Sequence, residues 1–211
     1  MSGDFRVFLV DDQPALLKAI SRLLTLENIA NETYSSAQEF IDSDNLNAQG
    51  CLILDLTMPD MSGMELYQTL LEQRCRLPVI FLTGHGTIET GVKAMKLGAA
   101  DFLTKPVQKE QLIAAIQYAF EKSRLVHESA SKCNELSQRL ASLTPRETDV
   151  LNRIITGRLN KQIAAELGTA EQTVKIHRAR VMAKMKVRSL AELVRAMEEF
   201  KSVNTLQQTP L

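Results

Sequence analysis

Cysteine is scarce and unpatterned. The chain has three, Cys51, Cys75 and Cys133, with no CxxC pair and no Cys/His spacing of a zinc site. An odd, scattered set argues against a disulfide framework and reads as free thiols in a reducing compartment. Glycine (9) and proline (6) are few among 211 residues, and the composition is that of a globular chain. No N-terminal apolar run has signal-peptide character, and no stretch approaches the roughly 18 apolar residues of a membrane span. A soluble, cytoplasmic protein is expected. Internal repeats and low-complexity tracts are also lacking.

Net charge is lacking as well, but the zero is an average of opposites. Residues 1–120 carry 9 Lys and Arg against 15 Asp and Glu, whereas residues 121–211 carry 16 against 10. An acidic half joined to a basic half points to two kinds of partner, with a polyanion suited to the basic one. The length also suits two modest domains, each able to bury a core.

What is present begins with alternating periods. Apolar runs of strand character fall at Phe5–Val10, Ile29–Tyr34, Cys51–Leu54, Val79–Leu82 and Ala100–Leu103. Between and after them lie helical stripes: Leu16, Leu17, Ile20, Leu23 and Leu24; Phe40 and Ile41; Leu66, Leu70 and Leu71; Ile88, Val92, Met95 and Leu97; and Leu112, Ala115, Ile116, Ala119 and Phe120. Five strands alternating with five helices predict a doubly wound parallel sheet, whose functional edge lies at the carboxyl ends of its strands. Ser62 with Glu65, and Thr144–Pro145 with Glu147, have the order of helix starts. Residues 121–139 are polar and read as a helical linker, with a flexible coil as the alternative; residues 202–211 read as a disordered tail.

Four polar features fall at the predicted strand ends: Asp11–Asp12, Asp55, Thr83, and Lys105–Pro106. Three carboxylates brought together repel one another and favour a hard divalent cation, with Mg2+ the usual occupant. One of them can act as nucleophile and form an aspartyl phosphate. A lysine and a hydroxyl would then balance the phosphoryl oxygens.

The stretches VDDQP (10–14), LDLTMPDMSG (54–63), FLTGHG (81–86) and DFLTKP (101–106) resemble the receiver domains of two-component response regulators, over about residues 4–120. The resemblance implies a flavodoxin/CheY-like fold. It makes Asp55 the phosphoacceptor for a sensor histidine kinase, and Thr83 and Lys105 the phosphoryl-binding pair. Mg2+ would be held by Asp11, Asp12, Asp55 and the backbone carbonyl of Thr57. Phe102 sits at the aromatic switch position, the Lys105–Pro106 bond is expected to be cis, and His85 would tune how long the phosphate lasts.

The basic half carries LTPRE (143–147), NKQIA (160–164) and TVKIHRARVMAKM (173–185). Gly157 and Gly168 read as helix stops, and Asn160 as the cap of a short helix. A tight turn at Thr169–Ala170, with Thr169 expected to cap, leads into a helix over Glu171–Met185. That layout is a helix-turn-helix. Between Gln172 and Arg188 six cations stand without an acid. Such a helix can enter the major groove and neutralise phosphates. Lys175, Ile176 and Ala179 share one face for base edges, flanked by Arg178, Arg180 and Lys184. These motifs resemble the LuxR-type DNA-binding domain of FixJ/NarL regulators, over about residues 138–201, with the domain itself read as residues 140–201. The resemblance implies an all-α four-helix domain, with Asn160, Lys161 and Thr173 joining the DNA contacts and a last helix, Leu190–Phe200, often used for dimerisation. His177 reads as a partly buried structural residue or a phosphate contact.

The function implied is phosphorylation-dependent transcriptional regulation. The implied partners are a sensor histidine kinase, promoter DNA, a second copy of the chain and RNA polymerase. The protein is not expected to be an enzyme beyond its own phosphorylation and dephosphorylation. A phosphate sink, whose basic half binds nothing specific, is the competing class.

Overall fold

A computed structural model of the chain describes residues 5–84 and 88–208, with backbone alone for residues 202–208 and for Asn47. It divides into two compact units, Met1–His127 and Glu128–Leu211.

In the first unit the strands are β1 (Arg6–Val10), β2 (Asn31–Tyr34), β3 (Gly50–Leu54), β4 (Val79–Thr83) and β5 (Asp101–Thr104). The helices between and after them are α1 (Pro14–Leu26), α2 (Ala37–Ile41), α3 (Gly63–Glu72), α4 (Ile88–Lys96) and α5 (Lys109–Ala141). All neighbouring strands pair in parallel, in the order β2-β1-β3-β4-β5. The strand period of two sends alternate residues to opposite faces. Val7, Leu9, Cys51, Ile53, Ile80 and Leu82 pack with α1 and α5, whereas Phe8, Val10, Leu52, Leu54, Val79 and Phe81 pack with α2, α3 and α4. The sheet is therefore covered on both sides, which is why β3 and β4 read as unbroken apolar runs.

The second strand begins later than the apolar run beginning at Ile29 suggests. Chain reversal after α1 is made by Asn28 with φ of 57°, and Ile29 is spent on core packing before pairing starts at Asn31. Among the described residues, α4 has one buried side chain, Ala94. The division between the units falls within α5, a single 33-residue helix.

The second unit holds α6 (Pro145–Ile154), α7 (Asn160–Leu167), α8 (Glu171–Lys184) and α9 (Leu190–Gln208), around Val150, Leu151, Ile154, Ile163, Val174, Val181, Met185 and Leu193, with Leu136 from the end of α5. Thr144 and Glu147 form a complete capping box on α6, as Ser62 and Glu65 do on α3. Gly157, at φ 79°, closes α6 with Arg158 N–H donating to the Arg153 carbonyl and Gly157 N–H to that of Ile154, a Schellman stop.

Three local expectations are corrected. Asn160 is the first helical residue of α7, not its cap: Leu159 holds the cap position, and the Gln162 side chain reaches back to accept its N–H at 2.9 Å. Ala170, rather than Thr169, caps α8 and makes no side-chain cap bond. The last helix continues past Phe200, so the polar segment from Ser202 is helical as far as Gln208; residues 209–211 lie outside the described residues. Among the described residues, no helix is long and apolar enough to cross a membrane.

Candidate functional site

Strand register brings the acids together. Val10 pairs with Leu54, so Asp11 and Asp55 leave adjacent strands at one level, and Asp55 N–H donates to the Val10 carbonyl at 3.0 Å. One carboxylate oxygen each from Asp11, Asp12 and Asp55 lie within 4.8 Å of one another. Asp11 and Asp55 are buried, at 5% and 3% exposure. Lys105 follows β5, and its N–H donates to the carbonyl of the fully buried Thr83 at 2.7 Å. The Lys105 Nζ lies 2.6 Å from Asp11 Oδ2 and 3.0 Å from Asp55 Oδ2. The Lys105–Pro106 peptide is cis. Residues 11, 12, 55, 83 and 105 therefore share one sheet edge.

Three carboxylates face one ammonium here. Burial alone would lower the pKa of Lys105, but its hydrogen bonds and charge attraction to Asp11 and Asp55 outweigh burial and raise it, so the amine stays protonated. Asp12 Oδ1 and Asp55 Oδ1 are buried and have no hydrogen-bond partner among the described residues. An acceptor withdrawn from water without a donor is costly. The donor set is all oxygen and in excess of its cation, which suits a hard divalent ion such as Mg2+. Thr57 is exposed, two residues past Asp55. His85 lies outside the described residues.

Gly63 was not singled out in the sequence beyond its place in a motif. It opens α3, its N–H donates to the Leu56 carbonyl at 3.0 Å, and its bare Cα lies against the Asp55 backbone. Phe102 is half-buried on β5, its ring centroid 6.4 Å from that of Phe81. With Ile88, Gly91, Val92, Met95, Lys96 and Thr104 it lines an open apolar cleft of ≈ 610 Å³.

In the second unit, α8 presents Lys175, Ile176, Ala179 and Arg180 to solvent, with Thr173 and Arg178 half-buried beside them and Lys161 exposed on α7. Asn160 Oδ1 accepts from Arg178 Nη1 at 3.3 Å, joining the two helices. His177 is half-buried, and its Nδ1 is buried without a partner among the described residues.

Lys184, expected on the flank facing DNA, is turned inward. Its ammonium donates to Glu147 Oε2 at 2.6 Å and to the Ser142 carbonyl at 2.8 Å. The partner lies 37 residues away in sequence, where its only visible role was the capping box.

The hydrogen bond from Lys184, and then that from the Thr144 N–H, hold the Glu147 carboxyl down at about 2, against an ordinary 4.5, despite burial. A depressed folded-state pKa adds stability above the unfolded value that is lost as pH falls toward the folded one. Between pH 4.5 and 2 the second unit should thus lose stability in step with Glu147 protonation. Glu147→Gln keeps an acceptor for the cap and should flatten that part of the curve in urea unfolding of the full chain. Parallel curves for the two proteins would remove the assignment.

Residues 7–117 match the response regulator receiver domain model, and residues 141–197 that of the bacterial regulatory proteins of the luxR family. The response regulator protein TodT of Pseudomonas putida is 43% identical over 195 residues, covering 92% of this chain and 86% of TodT. The transcriptional regulatory protein FixJ of Rhizobium meliloti is 40% identical over 192 residues, covering 91% of this chain and 94% of FixJ. The solved structure of the response regulator StyR superposes with a TM-score of 0.86 at 40% identity, covering 93% of this chain and 100% of StyR.

Proposed function

This chain belongs to the response regulators that join a receiver domain to a LuxR-type DNA-binding domain, and from that premise we propose that Asp55 accepts a phosphoryl group from a sensor histidine kinase and thereby controls promoter binding by α8. Phosphorylation-dependent transcription regulation is the work of the family. The specific steps are inferred from this chain's residues.

The observation that carries the reading is the Asp55 carboxylate, with one oxygen 3.0 Å from the Lys105 ammonium and the other buried without a donor among the described residues. An Asp55 oxygen attacks phosphorus in line; the new P–O bond forms as the P–N bond to the donor imidazole breaks, and the leaving nitrogen keeps the electron pair and takes up a proton. Phosphoryl transfer is mostly positioning plus electrostatics. Lys105 supplies fixed positive charge to the phosphoryl oxygens, and the Thr83 hydroxyl donates to another of them. A Mg2+ held by Asp11, Asp12, Asp55 and the Thr57 carbonyl would supply further positive charge against the acids and the incoming group.

With Thr83 drawn toward the phosphate, Phe102 turns inward and the face carrying Val92, Met95 and Lys96 becomes a dimer contact. Paired α8 helices then read two half-sites about one turn, ~10 bp, apart. A ~100-fold rise in the active population requires phosphate to favour it by ~2.7 kcal/mol.

The test is binding to duplexes selected from a random pool, with and without acetyl phosphate, across a salt series. Affinity should rise on phosphorylation and fall steeply with salt, because each neutralised phosphate releases counterion. No salt-dependent binding to any duplex would favour a phosphate sink, and binding unchanged by acetyl phosphate would show DNA binding without phosphate control; either result overturns the proposal.

A further inference from the structure

The recognition helix is held at its end by a residue outside the segment that matches the luxR model. Arg139 lies in the last turns of α5, ahead of residue 141 where that match begins. Its Nη1 donates to the Met185 carbonyl at 3.1 Å, and Met185 is the C-cap of α8. The other arm, Nη2, donates to Glu135 Oε1 at 2.5 Å, one helical turn back along α5. The Arg139 side chain is 24% exposed, and its Nε is buried with no partner among the described residues.

The end of α8 explains why a cation belongs there. The helix stops with Lys186 in the left-handed region at φ 54°, without glycine. Lys186 N–H donates to Ala183 and Val187 N–H to Met182, which satisfies two of the last carbonyls. The Met185 carbonyl is the one Arg139 takes. The C-terminal end of a helix carries partial negative charge, so a guanidinium there is favoured twice, by hydrogen bond and by dipole. Glu135 fixes the donor's direction and also faces Lys186 at 3.8 Å. On the other side, Lys184 is tied to Glu147 and Ser142. The last turn of α8 is thus gripped from α5 and from α6.

We propose that Arg139 is a positioning residue for DNA recognition: it sets the pose of α8 by clasping the Met185 carbonyl and does not itself touch DNA. The functional DNA-binding unit therefore starts within α5, near Glu135. The inference rests on α8 being the recognition helix, as proposed above. A side chain at a groove must be held within about half an ångström of its working position, so loosening the end of the helix is felt at Lys175, Ile176 and Ala179.

Salt dependence separates positioning from contact. Losing a phosphate contact lowers the slope of log affinity against log salt by about one, whereas losing alignment lowers affinity at unchanged slope. With the full-length chain and its selected duplex, Arg139→Met should lose roughly tenfold in affinity with its slope unchanged. Arg139→Lys should recover part of that loss, because it keeps the positive charge at the helix end but loses the fixed two-armed geometry of the guanidinium. Arg180→Gln, on the exposed face of α8, serves as the contact control, with a lowered slope. Unchanged affinity in Arg139→Met, or a slope reduced as in the control, overturns the inference. If Arg139→Met unfolds, Glu135→Gln decides, since it removes only an exposed carboxylate: a smaller loss at constant slope supports the clasp, and no loss overturns it. Failure of the unaltered chain to bind DNA in a salt-dependent way would instead strike the reading of α8.

Discussion

Asp55→Asn should, on the proposed mechanism, eliminate covalent labelling by acetyl phosphate or phosphoramidate, together with any dimerisation and any gain in DNA affinity that phosphorylation produces. The amide has nearly the shape of the carboxylate, so the fold should hold: Asp55 N–H still bonds Val10, and Lys105 keeps Asp11 at 2.6 Å. What would disappear is the proposed nucleophile. An amide oxygen carries no full charge with which to attack phosphorus, and the amide nitrogen is not a substitute. Asp11 and Asp12 remain, but Lys105 Nζ now has one acid to oppose it in place of two. The measurement is label retained on the denatured protein, together with its mass. Stoichiometric label on the Asp55→Asn variant would show that the acceptor is another residue and would end the mechanism.

A second large effect is expected where no charge is involved. A Cβ built on Gly63 would stand 2.0 Å from the Asp55 carbonyl oxygen and 2.9 Å from its carbon. Both are backbone atoms of the residue that follows β3, so no side-chain rotation relieves the clash. Gly63→Ala must therefore push the start of α3 away from β3 or displace Asp55 itself. Overpacking at an unyielding contact costs about 3 kcal/mol or more, which lowers the melting point of a domain this size on the order of 10 °C. Calorimetry of the full chain should show the receiver transition falling while that of the second unit stays in place, with phosphoryl uptake slowed. An unchanged receiver transition would mean that the close approach of Gly63 to Asp55 is not a feature of the folded protein.

Much of the receiver was legible because its chemistry is sequential at each strand end. β3 and β4 are buried on both faces, and a strand buried on both faces is written as a continuous apolar run. The meeting of Asp11 with Asp55 follows from one topological assumption, that both strands end at the same edge, and the register of Val10 with Leu54 fixes it to the residue. β2 was harder, since Asn31–Tyr34 is an edge strand with polar residues, and its start depends on how Asn28 turns the chain.

The second unit was legible in its helices and less so in its polar side chains. Asn160 has the chemistry of a cap, but Gln162 serves Leu159 from inside the helix, leaving Asn160 to meet Arg178. Lys184 belongs to a run of cations that reads as one exposed face, yet the buried Glu147 withdraws it. Nothing local announces that pair. Arg139 offered only an i, i+4 spacing from Glu135, which is common on any polar helix; its hold on Met185 spans 46 residues.

The order of translation gives the acid pocket one more property. Its carboxylates come from positions 11, 12 and 55, while the ammonium that binds two of them arrives at 105, just after the last strand to join the sheet. A chain made only as far as residue 100 holds the three acids without that ammonium and without β5. The charge balance of the pocket is therefore completed last, by a residue that joins the fold only after every acid is already in place.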